Sequence, residues 1–255
     1  MSRTVLAAAL LFVSPVGLVA QSDEPARATQ DPQAAYNELV RSFAKAVEAW
    51  QDELQAALKK QEEGGPRVPR KAYRPPTKSF IATAQEHAQE LAGRDEAVMF
   101  LGFILKNASS ERNAIKWAVK TLNSDHADSA AIADVVDYLP MAATKGAGRN
   151  ATKLLGRIAE QHGDAEVRAK ALLARAAFKT ERGDSSGAIA DLKAVQSVSK
   201  DEDLLAEAKD LLAEVQKFAI GAVAPEIEGV DTDGVAFKLS DYRGKVVLLD
   251  FWGFW

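Results

Sequence analysis

Apolar residues recur at helical spacing through most of the chain, from Asp31 to about Phe218. The first apolar face is the longest and alternates in steps of four and three: Tyr36, Val40, Phe43, Val47, Trp50, Leu54 and Ala57. This spacing places the side chains along one face of a helix. Pro32 suits the first turn, where its missing N–H has no helical partner, and Gly64-Gly65-Pro66 ends the pattern. We predict a helix that packs along its own domain, with a coiled-coil dimer as the alternative.

Shorter amphipathic segments follow this helix. We predict that they start near Lys78, Asp95, Ser110, Asp128, Arg149, Asp164, Asp184 and Asp201. Many open on Ser or Asp, whose side-chain oxygens accept from the free N–H groups of a first turn. Each is too short to be stable alone, so it must bury its apolar face against neighbours. The chain is therefore predicted to be mainly α.

These starts recur at about 37 residues, with two helices in each period. Residues 182–192 resemble the second half of a tetratricopeptide unit, although the complete signature is absent from the other units. We predict a helical-repeat-like array of the tetratricopeptide or HEAT kind, on which a protein partner could dock. The proline-rich basic residues 67–76, between the first helix and this array, are predicted to form an extended, solvated linker. Contact with an anionic surface is the alternative.

The pattern changes after Gly221, because Pro225 prevents a helix from continuing. Residues 226–230 and 235–239 are predicted to be extended, with a turn at 231–234 between them. Residues 240–244 are predicted to form a short helical turn or loop. From Lys245 onward the chain is an apolar run of β-branched and aromatic residues, typical of a strand that is covered on both faces.

Composition and charge exclude several classes of function. The 32 basic and 36 acidic residues leave a net charge of −4, whereas nucleic-acid binders usually carry a basic excess. We therefore predict no nucleic-acid partner. His87, His126 and His162 lie on different predicted helices without ligand-like spacing, so no metal site and no cofactor are predicted. The chain contains no cysteine, and it can form no disulfide.

The first residues are typical of a secretory signal peptide. One arginine precedes an apolar run, and small residues stand at its exit before a polar stretch. We predict a signal peptide over residues 1–20, cleaved after Ala20, with Ala28 as the other candidate site. The protein is accordingly expected to be exported to a periplasm. An uncleaved signal that anchors the chain in a membrane is the alternative.

The last 35 residues or so resemble the opening of the TlpA/ResA-type thiol–disulfide oxidoreductases, which belong to the thioredoxin-like and AhpC/TSA redoxin superfamily. Four ordered blocks carry the resemblance, and their residues are Gly221, Ala224, Pro225, Asp233, Gly234, Leu239, Ser240, Gly244, Lys245 and Phe251. The tryptophans that follow are similar to the lead-in of a Cys-x-x-Cys pair. The peroxiredoxin branch instead usually continues into a Phe-Tyr-Pro-like segment.

The resemblance implies a reactive cysteine pair just after Trp255. It also implies that Asp250 lies buried beneath the pair and exchanges protons with the inner thiol. Trp255 matches the aromatic residue that shields the first sulfur, and Trp252 belongs to the same lead-in. In such a site a thiolate attacks the disulfide of a client or of a redox donor protein.

Since the chain has no cysteine, we expect it to be inactive in this reaction. We interpret it as a fragment, or as the product of a frameshift or premature stop, that ends before the Cys-x-x-Cys motif. The expected organisation is a signal peptide (1–20), a helical domain (21–219) and the incomplete start of a thioredoxin-like α/β domain (220–255). Two alternatives remain: a helical scaffold that binds a protein or peptide, and a peroxiredoxin-like peroxide reductase.

Overall fold

A computed structural model describes residues 31–108 and 110–253 of the chain, and these are predominantly helical. The helices are α1 (Pro32–Glu62), α2 (Lys78–Glu90), α3 (Ala97–Asn107), α4 (Arg112–Asp125), α5 (Leu139–Ala142), α6 (Gly148–Gln161), α7 (Ala165–Glu181), α8 (Ser185–Val198) and α9 (Glu202–Lys217). Short 3-10 turns lie at Arg70–Tyr73, Ala130–Asp134, Val136–Tyr138 and Leu239–Tyr242, and a π-helical turn at Ala143–Ala147. The strands are β1 (Glu228–Val230) and β2 (Ala236–Lys238). The prediction of a mainly α chain is confirmed.

The bounds of α1 are those that the sequence predicts. The Asp31 carboxylate accepts from the Gln33 N–H at 3.2 Å and so caps the first turn. The apolar face of α1 packs on α2 and α3, since the Phe43 ring lies 5.3 Å from the rings of both Phe80 and Phe103. Such edge-to-face pairs stabilise the contact beyond the apolar area they bury. The prediction that α1 packs on its own domain is confirmed.

The linker after α1 returns along that helix, so the prediction of a solvated segment is wrong for part of it. The Trp50 indole N–H donates to the Ala72 carbonyl at 2.7 Å. The Val68 N–H donates to the Gln61 side chain at 2.6 Å, and Val68 itself is buried. The physical reason is that the half-buried indole of Trp50 needs both an apolar cover and an acceptor. The linker supplies both.

Helices α2 to α9 pack consecutively around one continuous apolar core. Seven of the eight predicted helix starts are confirmed to within a few residues, and Asp164, Asp184 and Asp201 each cap the helix that follows. The start near Asp128 is wrong, because that segment forms two 3-10 turns before the short helix α5 begins at Leu139. Helix α3 is buried along almost its whole length, because α2, α4 and the short turns near residue 135 surround it.

Successive loops of the helical region are joined by hydrogen bonds between residues 33 to 37 positions apart. The pairs are Thr77–Glu111, Ser129–Asp95, Lys145–Ala108, His162–Ser129 and Lys200–Glu166. Four of these separations are 33 or 34 residues and one is 37, so most are shorter than the spacing of about 37 residues between predicted helix starts. Each bond ties a loop to the loop one helix pair away.

The C-terminal strands form an antiparallel hairpin in which Gly229 pairs with Phe237. Asp231 builds the turn, because its carboxylate accepts from the N–H groups of Asp233 at 2.9 Å and Val235 at 2.8 Å. Gly234 has a φ of +81°, which glycine adopts without the Cβ strain of other residues. The predicted hairpin and the short helical turn after it are confirmed.

The buried strand predicted from Lys245 onward is not formed. Residues 246–253 have no regular structure, and Val246, Leu248 and Phe251 are 103%, 92% and 83% exposed. A strand that is covered on both faces needs strands on either side, and within residues 31–108 and 110–253 the only sheet is the two-stranded hairpin. Of the predicted α/β domain, the described residues therefore form only this hairpin and the short turn after it.

Three other predictions fall outside the described residues: the signal peptide over residues 1–20, its cleavage after Ala20 or Ala28, and the position of Trp255. Among the residues that are described, no helix combines the length and the apolar character needed to cross a membrane.

Candidate functional sites

The residues that carry the redoxin resemblance lie on the C-terminal hairpin and its flanks. Gly221 and Gly244 mark the two ends of this unit, with φ values of +90° and +84°. Between them, the Leu239 N–H donates to the Ile227 carbonyl at 2.9 Å and extends the pairing beyond β2. The motif residues Leu239 and Ser240 thus form the turn that directs the chain away from the hairpin.

Two carboxylates outside the motif hold this turn. Glu226 accepts from the Ser240 N–H at 2.9 Å, and Asp241 accepts from the Lys238 N–H at 2.9 Å. Hydrogen bonds from Ser240, the side chain first and then the backbone, lower the pKa of Glu226. Both residues can be found from their positions in the sequence. Each lies next to the end of a strand, where an Asp or Glu side chain can accept from a nearby backbone N–H group.

Asp250 and Trp252 do not form a site in this chain. The carboxylate of Asp250 is exposed, which contradicts the predicted burial, and Trp252 is 73% exposed. Both follow from the missing strand, because the apolar neighbours that should cover them are themselves in solvent. The chain has no cysteine, so no thiolate is available for disulfide exchange.

The helical region contains a groove of about 580 Å³ between α5, α7 and α9. Apolar side chains of Leu173, Ala174, Leu204 and Leu211 line it, with Pro140 and Met141 at one end. The charged residues Asp137, Lys170, Glu181 and Glu207 stand around it. The sequence contained a partial signal, since Leu204 and Leu211 are seven residues apart on the apolar face of α9. It did not show that this face stays partly uncovered.

The three histidines have separate surroundings. The His87 ring stacks near Phe100 at 4.9 Å, and the Nδ1 atom of His162 accepts from the Asp164 N–H at 3.1 Å. His126 is buried, and neither of its ring nitrogens has a hydrogen-bond partner in the described part of the chain. In that same part, no group of three or more His, Asp or Glu side chains is placed to hold a metal ion.

Comparison with known proteins finds a local similarity to thiol–disulfide oxidoreductases. Over 37 residues the chain is 51% identical to the thiol-disulfide oxidoreductase ResA of Geobacillus kaustophilus (strain HTA426), and 49% identical to that of Geobacillus thermodenitrificans (strain NG80-2). Each match covers 14% of this chain and 21% of the relative. The chain therefore spans about a fifth of the length of the curated relatives it matches.

No family model and no solved structure matches the chain. At 37 residues, the similarity to the Geobacillus proteins is one residue longer than segment 220–255, which carries the redoxin motif. It supports a relation to the thioredoxin-like redox proteins at the level of the family.

Proposed function

We propose that residues 220–255 are the opening part of a thioredoxin-like domain, and that the protein to which they belong reduces or exchanges disulfides in other proteins. One observation carries the proposal: about half of the residues are identical to ResA over a 37-residue stretch. The ordered motif from Gly221 to Phe251 agrees with it, and this motif includes Gly234 in the turn of the hairpin.

In this proposal a Cys-x-x-Cys pair follows Trp255. The first thiolate attacks a client disulfide, forms a mixed disulfide and releases one client thiolate. The second thiol, once deprotonated, attacks the mixed disulfide, so that the pair is oxidised and the client is reduced with two electrons. Asp250 takes the proton of the inner thiol, and Trp252 and Trp255 shield the sulfur from water. The 255-residue chain lacks both sulfurs and is inert in this reaction.

The hairpin and its turn are the part of the domain that folds locally. Asp231, Glu226 and Asp241 fix the backbone through bonds within the segment. The apolar run after Lys245 becomes a buried strand only when further strands of the domain pack beside it, since parallel sheets are covered on both faces. Burial of this run then places Asp250 among apolar side chains.

For the helical domain we propose a docking role in a stacked array of helix pairs. The loop-to-loop bonds between residues 33 to 37 positions apart support a repeating unit of that length. The groove of about 580 Å³ between α5, α7 and α9 favours a second candidate function, a scaffold that binds a protein or peptide segment. Its apolar lining and three carboxylates suit a segment with apolar and basic side chains.

We also propose that the protein is exported to a periplasm, after cleavage of residues 1–20 or held to the membrane by the uncleaved signal. Expression in a Gram-negative host, followed by fractionation and N-terminal sequencing, tests this. A periplasmic chain that begins at Gln21 supports cleavage, and a membrane-bound chain that keeps Met1 supports the anchor. A cytoplasmic chain overturns export.

Sequencing the transcript downstream of codon 255 distinguishes the candidate functions. A Cys-x-x-Cys motif directly after Trp255 supports disulfide exchange. A lone cysteine in a Thr-x-x-Cys context supports the peroxide reductase, although the tryptophan-rich lead-in suits it poorly. A stop codon at that point overturns the leading proposal and favours the scaffold. Undiminished binding of a partner by residues 21–219 alone supports the scaffold further.

A further inference from the structure

A second cleft, separate from the groove and from the C-terminal hairpin, lies between α4 and α6. Its volume is about 460 Å³. Helix α4 lines it with Lys116, Trp117 and Lys120, and the start of α6 lines it with Arg149 and Asn150. Gly146 and Ala147, just before α6, complete the wall. No residue that lines this cleft is acidic.

The cationic side chains around the cleft form two rows. Arg112, Lys116 and Lys120 are four residues apart along α4, a span of about 12 Å. Arg149 and Lys153 are likewise four apart on α6. Within the described part of the chain, none of these five has an ion-pair partner. Like charges at this spacing destabilise a helix slightly, so the two rows favour an anion between them.

The backbone at Gly146, just before α6, lies against the α4 row and lines the cleft. Gly146 has a φ of +110°, and a Cβ added there would lie 3.6 Å from the Lys116 Cε and 3.9 Å from the Arg112 Cδ. The stems of both side chains therefore pass close to this glycine, and Lys116 itself lines the cleft. A residue with a side chain at this position would be strained and would narrow the cleft.

Trp117 adds a flat apolar face beside the charges. Its indole is half-buried and lines the cleft between Lys116 and Lys120. The Asn150 amide can donate a hydrogen bond to an anion or accept one from a hydroxyl. The first turn of α6 has no acidic residue and no side-chain cap, so the positive end of this helix adds to the field of the five lining and flanking cations. The cleft therefore combines positive charge with one apolar surface.

We propose that this cleft binds a phosphate ester, with the phosphoryl group between the α4 and α6 cations and the organic part against Trp117. A doubly charged phosphoryl group accepts from several Lys and Arg donors at once, in a chain whose net charge is −4. A volume of about 460 Å³ is in the range of small-ligand sites. The ester can be a free metabolite or the headgroup of an anionic lipid, because both present the same chemistry.

Calorimetric titration of the full chain with glycerol 3-phosphate, at low salt, tests the site. The double variant Lys116→Gln/Lys120→Gln is expected to weaken binding at least about tenfold, equivalent to ~1.4 kcal/mol. Lys193→Gln/Lys209→Gln on α8 and α9 is the matched control, because it removes the same charge from exposed lysines elsewhere. It is expected to leave the affinity unchanged. Circular dichroism shows whether each variant is folded.

Sedimentation with vesicles identifies the source of the ester. Tighter binding to vesicles of phosphatidylglycerol in phosphatidylcholine than to glycerol 3-phosphate, lost in Lys116→Gln/Lys120→Gln, supports a lipid headgroup. Binding of glycerol 3-phosphate without vesicle binding supports a free ester. Absence of binding to both probes overturns the proposal, and so does an equal loss in the matched control variant. All of these outcomes are independent of the redox proposal for residues 220–255.

Discussion

Arg175 on α7 and Asp191 on α8 form a bidentate ion pair, with Nε–Oδ2 and Nη2–Oδ1 distances of 2.9 and 2.8 Å. The Lys179 Nζ atom lies 2.8 Å from the same carboxylate, whose side chain is only 6% exposed. Arg175 also donates to Glu160 on α6 at 2.9 Å. The hydrogen bond from Asp191, ahead of that from Glu160, raises the pKa of Arg175 against the opposing effect of burial. One arginine thus joins three consecutive helices.

Replacement of Asp191 by alanine should destabilise the chain by about 3–5 kcal/mol, because it leaves two cations beside a buried site without their carboxylate. Chemical denaturation of the variant measures this. Glu160→Gln is the control: that carboxylate is 63% exposed, and surface ion pairs contribute less than about 1 kcal/mol. Equal losses in the two variants would show that Asp191 is not the centre of the network.

Gly102→Ala should destabilise the chain, although alanine is the better helix former by about 1 kcal/mol. Gly102 is buried inside α3, and an added Cβ would lie 2.6 Å from the Val135 Cγ1 atom. Overpacking of this kind costs about 1–3 kcal/mol. In a double-mutant cycle, Val135→Ala should relieve the clash and give a favourable coupling of about 1 kcal/mol or more. Additive losses would contradict this account.

Acidification should weaken α8 through its capping residue. The Gly187 N–H and then the Ser186 hydroxyl donate to Asp184 and lower the pKa of that carboxyl. A lowered pKa means that the ionised cap stabilises the fold above the ordinary value near 4, and that this contribution is lost as the pH falls through the folded value. Asp184→Asn keeps a capping side chain that does not titrate.

Thermal midpoints measured from about pH 6 down to about pH 2 test this prediction. The midpoint of the wild-type chain should fall more steeply at the acid end than that of Asp184→Asn. If the two curves stay parallel throughout, the cap does not contribute to acid denaturation.

The exposed apolar segment 246–252 should drive self-association of the 255-residue chain. Leu248 and Phe251 are almost fully exposed, and contiguous apolar surface of this kind favours aggregation. Sedimentation velocity at protein concentrations of roughly tens of micromolar should show oligomers for the wild-type chain. The double variant Leu248→Lys/Phe251→Lys should sediment as a monomer. A monomeric wild-type chain under the same conditions would contradict the prediction.

Local signals in the sequence predicted the helical part well. The α1 cap at Asp31, the later Asp caps and the apolar faces all act within one or two turns, so periodicity and capping chemistry suffice to place them. Long-range contacts were not accessible in this way. The return of the linker to Trp50, the Arg175–Asp191 pair and the clefts depend on how distant helices approach one another.

In the C-terminal segment, the local structure was predicted correctly and the strand that depends on distant neighbours was not. Its hairpin follows from local turn chemistry at Asp231 and Gly234, and it was predicted correctly. The strand after Lys245 was predicted from its apolar composition, which reflects neighbours that the described residues do not contain. Asp250 was assigned to a buried site through the same strand, and it is exposed for the same reason.

Insulin disulfide reduction by a chimera tests the central proposal most directly. The chimera joins this chain, through Trp255, to the part of Geobacillus kaustophilus ResA that follows its matching residues. A chimera that unfolds cooperatively should reduce insulin, while the 255-residue chain and a chimera with both cysteines changed to serine should stay at buffer background. A folded chimera no more active than its serine control would contradict the assignment of residues 220–255 to a thiol–disulfide oxidoreductase.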